Sequence, residues 1–308
     1  MHRNRGLVYV ALILAMVCWA FSFIWVKVAY VVYAPLTVTL FRLIIAFIFT
    51  FLYAQIGNKL MKIRREDYRI FFLLAFFEPF LYFLGESFGL KYISSTMGAI
   101  IVSTIPLFSP IASSRFHGET LSRRNLIGIV LSFLGVGIVV FDSSFNLIAS
   151  PLGIALEFLA VVSAIGYMTV LKGLTKKYNT PTIITYQNFI AIFYFLPCWL
   201  FFESRDFMNT PFDAPAFIAV IKLGLFASSI AFILYTYSIK NIGINNANMF
   251  INLIPVLTAI FAWFILDDPL TLRKFVGIFV VISGLFIAQV NLKGLTAKLV
   301  SIQQDGGR

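Results

Sequence analysis

Charge is scarce in this sequence: Asp, Glu, Lys and Arg make up 12% of 308 residues while 60% are hydrophobic. That is about half the charged share of an ordinary globular domain, too little polar surface to cover a water-soluble protein of this size. A hydrocarbon core needs about 20 apolar residues per helix, so the chain has room for about ten membrane spans with short connections. Cysteine is equally sparse. Cys18 and Cys198 both lie inside apolar runs without a second ligand at Cys-x-x-Cys spacing, which excludes a disulfide framework and reads as small buried apolar side chains. The two histidines, His2 and His117, fall outside the apolar runs, so no metal site or catalytic histidine is expected at membrane depth. No Gly-rich loop ending in Lys and Ser or Thr is present to hold nucleotide phosphates, and no cofactor is expected. The net charge of +11 is not arranged as a basic stripe with exposed stacking rings, which argues against nucleic acid as a partner.

What is present is a succession of apolar runs. The first, near Leu7 to Val28, follows Arg3 and Arg5 but is too long for a signal peptide and has no convincing small-residue cleavage site. Further runs lie near 35–56, 69–90, 94–116, 125–142, 151–172, 182–203, 216–239, 244–266 and 274–291. Counted over the loops and tails, seventeen basic residues fall on one side and four (Lys91, Arg205, Arg273 and Lys274) on the other, with Lys27, Arg42 and Lys222 inside runs. Positive charge marks the cytoplasmic side. The expected fold is therefore an all-α membrane protein of ten transmembrane helices with both termini cytoplasmic.

The runs repeat. At an offset of 149, Lys91 matches Lys240, Pro106 matches Pro255, Glu119 matches Asp268, and Gly128 and Gly135 match Gly277 and Gly284. At an offset of 146, Pro35 and Thr39 match Pro181 and Thr185; at 145, Ala15 and Lys27 match Ala160 and Lys172. Each copy holds five runs, and an odd number makes the second copy enter the membrane from the opposite side. Residues 1–146 and 147–292 are thus expected to be inverted five-helix repeats of a single transmembrane domain, with 293–308 a cytoplasmic tail. Inverted repeats can adopt two pseudo-equivalent arrangements, one open to each side, which is the basis of alternating access.

Several patterns resemble one family. Trp19-Ala20-Phe21-Ser22-Phe23 with Lys27 after it, Arg42 in the second run, and Gly118-Glu119-Thr120-Leu121-Ser122 ahead of Gly128 and Gly135 resemble the drug/metabolite transporter superfamily, in its ten-helix EamA-like branch. In the second copy the turn reads Asp267-Asp268-Pro269-Leu270-Thr271, while Ala164 and Asn188 stand where the first copy has Trp19 and Arg42. The resemblance implies an exporter or exchanger of small metabolites such as amino acids, with a central cavity lined mainly by spans 1, 3, 4, 6, 8 and 9 and with spans 5 and 10 as peripheral supports.

Ionisable groups in the runs are the first candidates for function, because a charge at a helix centre costs about 2.5 to 3.5 kcal/mol on insertion scales. Glu78, Tyr82 and Glu86 are spaced four apart, on one helical face. They read as a polar cavity wall, with Glu78 and Glu86 as proton-coupling candidates; the alternative is a glutamate fixing the packing of neighbouring helices. Pro79, Pro106 and Pro255 each free a backbone carbonyl and are candidate hinges or, alternatively, static kinks. Asn248 and Asn252, with Asn245, are candidate substrate ligands whose alternative is interhelical hydrogen bonding. Trp19, Ser22 and Tyr167 are candidate substrate contacts, with Trp25 a weaker one among many packing aromatics. Lys27, Arg42 and Glu157 are an outer-gate candidate, Glu157 pairing with Lys27 or Arg42, against the alternative of basic chains snorkelling to the interface. Glu119 and Asp268 read as helix-start acids of structural use.

A secondary active transporter, exporting small polar metabolites by alternating access with the proton as a candidate coupling ion, is the reading these residues favour. A lipid or lipid-precursor flippase of the same architecture is the alternative. An intramembrane enzyme lacks a Gly-x-Ser-x-Gly motif and an intramembrane histidine. The small-molecule substrate and the bilayer are the expected partners, as a monomer or homodimer, and the compact chain fits a bacterial inner membrane.

Overall fold

A computed structural model describes residues 5–108, 123–141 and 147–289. The Gly118–Ser122 turn with Glu119, both histidines, the tail from 293 and the side chain of Asn245 lie outside the described residues. Among those described, the fold is all-helical. Seven helices are long and apolar enough to cross a membrane: α1 (Arg5–Ala29), α2 (Pro35–Ile56), α3 (Arg65–Tyr92), α6 (Pro151–Leu174), α7 (Thr180–Phe202), α8 (Ala214–Ile242) and α9 (Asn246–Leu266). Two shorter apolar helices, α4 (Ser95–Phe108) and α5 (Arg123–Val140), and the helix α10 (Leu272–Gln289) complete the set.

The helix starts follow from local chemistry. Pro35 and Pro151 occupy first turns, where the missing N–H has no partner to lose. Ser94, Asn179 and Asp213 accept hydrogen bonds from the backbone N–H groups of Met97, Thr182 and Ala216 at 3.3, 2.9 and 2.8 Å, capping α4, α7 and α8. The start of α2 is capped from another helix. Glu203, just past the end of α7, accepts from the N–H groups of Leu36 and Thr37 at 3.0 and 2.7 Å, where a carboxylate also meets the positive end of the helix dipole.

Two of the helices are interrupted in the middle. In α3 the residues from Phe76 to Leu81 form a wide turn in which Glu78 has φ −148° and ψ 121°, because Pro79 offers no N–H to continue the ladder. In α8 a wide turn spans Leu223–Ala231, and Ser229 Oγ donates to the Gly224 carbonyl at 2.8 Å. Interruptions of this kind are tolerated at membrane depth where protein or a cavity covers them.

Packing pairs α5 with α10, α2 with α7, and α3 with α6; α1 lies against α8 and α9, and α4 against α9 and α6. The α5–α10 seam is a close approach of two backbones. A Cβ on Gly135 would stand 2.8 Å from the backbone nitrogen of Val281, and one on Gly284 2.7 Å from the carbonyl of Gly128, so only glycine lets these backbones meet. Ser132 Oγ donates across the seam to the Val281 carbonyl at 3.1 Å. The α3–α6 contact is similar, since a Cβ on Gly85 would lie 2.4 Å from the carbonyl of Leu156. The outward surface is apolar: Phe201, Phe264 and Leu272 are among its most exposed side chains, as expected of helix faces that meet lipid rather than water.

Candidate functional site: a central cavity

The helices α1, α2, α3, α4, α6, α8 and α9 leave a cavity between them. Its walls come from α1 (Trp19, Ser22, Phe23), α2 (Arg42), α3 (Glu78, Tyr82, Phe83, Glu86), α4 (Val102, Ile105), α6 (Ala164, Tyr167, Met168), α8 (Phe232, Tyr235) and α9 (Ile251, Ile254). Neither α5, α7 nor α10 contributes to this lining.

Six of the eight residues expected to touch substrate, Trp19, Ser22, Glu78, Tyr82, Glu86 and Tyr167, meet around this one space. The interruption at Pro79 swings Glu78 out of the regular ladder, while Tyr82 and Glu86 keep the four-residue spacing and touch each other: Tyr82 OH donates to Glu86 Oε1 at 3.1 Å. Arg42 reaches the opposite oxygen of Glu86 at 3.8 Å. Its Nε donates to Ser228 Oγ at 2.9 Å and its guanidinium lies 4.0 Å from the centre of the Phe83 ring, a charge held by an ion pair, a hydroxyl and an aromatic face. Glu78 has no hydrogen-bond or ion-pair partner among the described residues, although it is only 7% exposed. The indole of Trp19 donates to the carbonyl of Ala227 at 3.2 Å, and Tyr167 OH donates to Gln187 at 3.1 Å, so the polar tips of these two rings are engaged by the protein.

Two expected ligands sit elsewhere. Asn248 is buried behind the wall, its amide oxygen accepting from Tyr235 OH and its amide nitrogen donating to the sulfur of Met168 at 3.5 Å. Asn252 does not line the cavity either, and its Oδ1 is buried without a partner. Their relative placement is also altered locally. Residues Met249–Asn252 form a tighter 3-10 turn with about three residues per turn, so residues four apart no longer share a face.

The outer-gate candidates do not form the expected pairs in this structure. No ion pair joins Glu157 to Lys27 or Arg42 among the described residues. Arg42 faces the cavity and pairs with Glu86, and Lys27 Nζ donates to the carbonyls of Leu90 and, at 2.7 Å, Ile93, closing the C-terminal end of α3. Glu157 is fully buried with neither carboxyl oxygen hydrogen-bonded, in a notch where Gly89 and Gly98 leave room for it. Pro106 and Pro255 are both in helices beside the lining residues Ile105 and Ile254. Asp268, read as structural, accepts from Thr96 at 2.9 Å and pairs with Lys274.

Sequence reasoning passed over the apolar half of the lining, because aromatic and aliphatic residues are everywhere in the chain. A signal was nevertheless there. Of the seventeen lining residues, fourteen form pairs at offsets already seen: Trp19 with Ala164, Ser22 with Tyr167 and Phe23 with Met168 at 145, and Phe83 with Phe232, Glu86 with Tyr235, Val102 with Ile251 and Ile105 with Ile254 at 149.

The sequence model of the EamA-like transporter family matches twice, over residues 6–141 and 151–289. The chain belongs to the EamA-like transporter family. Among relatives of this EamA-like chain, an uncharacterized transporter of Archaeoglobus fulgidus is 27% identical over 91% of this chain and 97% of that protein. The uncharacterized transporter YdfC of Bacillus subtilis is 26% identical over 86% of this chain and 85% of its own length. A solved structure titled only as the crystal structure of a protein superposes with a TM-score of 0.69, covering 95% of this chain and 99% of that one at 13% identity, a likeness of fold. Together with the long apolar helices, the family makes this an integral membrane transporter, which implies a small-molecule substrate.

Proposed function

We propose that this EamA-like protein is a secondary active transporter that exports small polar metabolites across a bacterial inner membrane by alternating access. The observation that carries the reading is the cavity itself: Arg42, Glu78 and Glu86 converge, buried, on one space between apolar helices. Charges so costly to insert are concentrated where they can act on a ligand.

The proposed architecture is ten spans in two inverted repeats, residues 1–146 and 147–292, with both termini cytoplasmic. Three observations support it. The family model matches once in each half. The helix contacts keep their pattern when each helix is exchanged for the one five further along: α1–α8 becomes α6–α3, α1–α9 becomes α6–α4, and α2–α7, α4–α9 and α5–α10 map onto themselves. In the seam, Ser132 bonds the residue 149 positions away, Val281, which is what a two-fold axis through α5 and α10 produces. Exchange of the two halves' conformations then opens the cavity to one side or the other, with the interruptions near Pro79 and in α8 as the bending points.

Glu78 is the proposed proton carrier, as the cavity carboxylate free of a partner; Glu86, Arg42, Tyr82, Tyr167 and Tyr235 are the charged and titratable groups around it. The test is growth of cells with and without the protein on toxic amino acids, amines, their analogues and common drugs. Resistance confined to a chemically coherent group supports export; sensitisation to such a group would make the protein an importer and overturn the direction.

A further inference from the structure

The paired lining positions reveal an imbalance. Three lining residues have no partner across the cavity: Arg42, Glu78 and Tyr82, whose counterparts by the same offsets are Asn188, Ala227 and Ala231, none of them in the lining. Every charged group in the cavity therefore comes from the first half of the chain. The second half answers with Tyr167, Met168, Phe232, Tyr235 and isoleucines. The backbone encloses the space from both halves at matching positions, but the two walls have different chemistry.

The charges on the polar wall do not cancel. Arg42 is matched by Glu86 at 3.8 Å and further held by Ser228 and Phe83. Glu78 is left as one carboxylate, more than nine-tenths buried, without a hydrogen-bond or ion-pair partner among the described residues. A buried charge of this kind is stable only with a counter-charge or a proton. Trp19, Tyr167 and Phe232 line the same cavity and pack edge-on in sequence: Trp19 meets Phe232 at 5.3 Å and Tyr167 meets Phe232 at 6.3 Å between ring centres. Because the polar tips of Trp19 and Tyr167 are engaged elsewhere, a ligand would meet their rings, and aromatic faces attract cations.

We propose that the ligand of this cavity is an amphiphilic organic monocation, an amine whose ammonium group sits between Glu78 and the aromatic rings while its apolar body lies on the second-half wall. This rests on the transport reading above and narrows its substrate from small polar metabolites to amines with an apolar body. The asymmetry also fixes orientation: the head always faces α3 and the body always faces α6, α8 and α9, whichever side the cavity opens to.

The experiment is ligand binding to the purified full-length protein in lipid nanodiscs, read by isothermal titration, with five probes: phenethylamine, ethylamine, 2-phenylethanol, 3-phenylpropionate and phenylalanine. Phenethylamine is expected to bind at least about tenfold more tightly than any of the others. Glu78→Gln should reduce its affinity about tenfold and erase its advantage over 2-phenylethanol. Ile254→Ala, on the apolar wall and outside the ring set, should weaken phenethylamine while leaving ethylamine nearly unchanged, a readout that survives if the glutamate variant fails to fold. The proposal is overturned if 2-phenylethanol or 3-phenylpropionate binds as tightly as phenethylamine, if phenylalanine binds more tightly and so docks its carboxylate on Arg42, or if none of the probes binds. Counterflow in proteoliposomes separates the two readings. Exchange of a non-cationic probe would keep the transporter and overturn the cation site, whereas cation binding without exchange would keep the site and remove transport.

Discussion

The halves of this chain meet in two places that are built in opposite ways. In the α5–α10 seam, matching positions carry matching chemistry: Gly128 corresponds to Gly277 and Gly135 to Gly284, and the backbones meet crosswise, Gly135 against Gly277 and Gly284 against Gly128. Around the cavity, three of the seven matching pairs carry different chemistry, with Glu86 matched by Tyr235, Trp19 by Ala164 and Ser22 by Tyr167, while the other four are apolar in both halves. The seam needs identical small residues because close backbone approach leaves no volume for anything else. The cavity needs only that its walls reach the same space, so its side chains are free to divide into a charged and an apolar wall. Shared geometry and divided chemistry are what a carrier with one oriented ligand and two access states requires.

The largest effect is expected from the polar wall. Arg42→Ala leaves Glu86 buried without its ion pair and Ser228 without its donor, at a cost of about 3 to 5 kcal/mol, seen as loss of monodisperse protein on heating. Removing Glu86 as well should recover most of that cost, a double-mutant cycle that no seam residue will reproduce. Next comes the seam. Gly135→Ala and Gly284→Ala should each cost about 1 to 3 kcal/mol by overpacking, and by nearly the same amount as each other. Unequal costs there, or equal costs for Glu86→Ala and Tyr235→Ala in the cavity, would break the comparison. The smallest effect is expected far from both: Glu203→Ala removes the cross-helix cap of α2 and should cost about 0.5 to 2 kcal/mol, measured by the same thermal assay, with binding in the cavity unchanged.

Much of this was legible in the residues. Apolar runs placed the helices, and the four-residue spacing of Glu78, Tyr82 and Glu86 placed them on one wall because α3 is regular beyond its interruption. Arg42 was not legible as a cavity group, since a basic residue in the second run reads equally well as one that snorkels; its neighbours Ser228 and Glu86 come from helices whose positions the sequence does not supply. Glu203 escaped for the same reason, as its partners Leu36 and Thr37 lie more than 160 positions away. Asn248 and Asn252 do not line the cavity, and the change of helical pitch at Met249–Asn252 that separates their faces is a detail of a single turn that spacing does not show. The apolar wall was written in the repeat offsets, but only a cavity shows which of many paired aromatics and aliphatics face it.

The most direct test of the account is transport by proteoliposomes under an imposed pH gradient, comparing the wild type with Glu78→Gln for a substrate found in the growth panel. The account predicts that the wild type concentrates substrate only when the gradient is present, and that Glu78→Gln cannot concentrate it in either condition. Accumulation by Glu78→Gln equal to that of the wild type would contradict it.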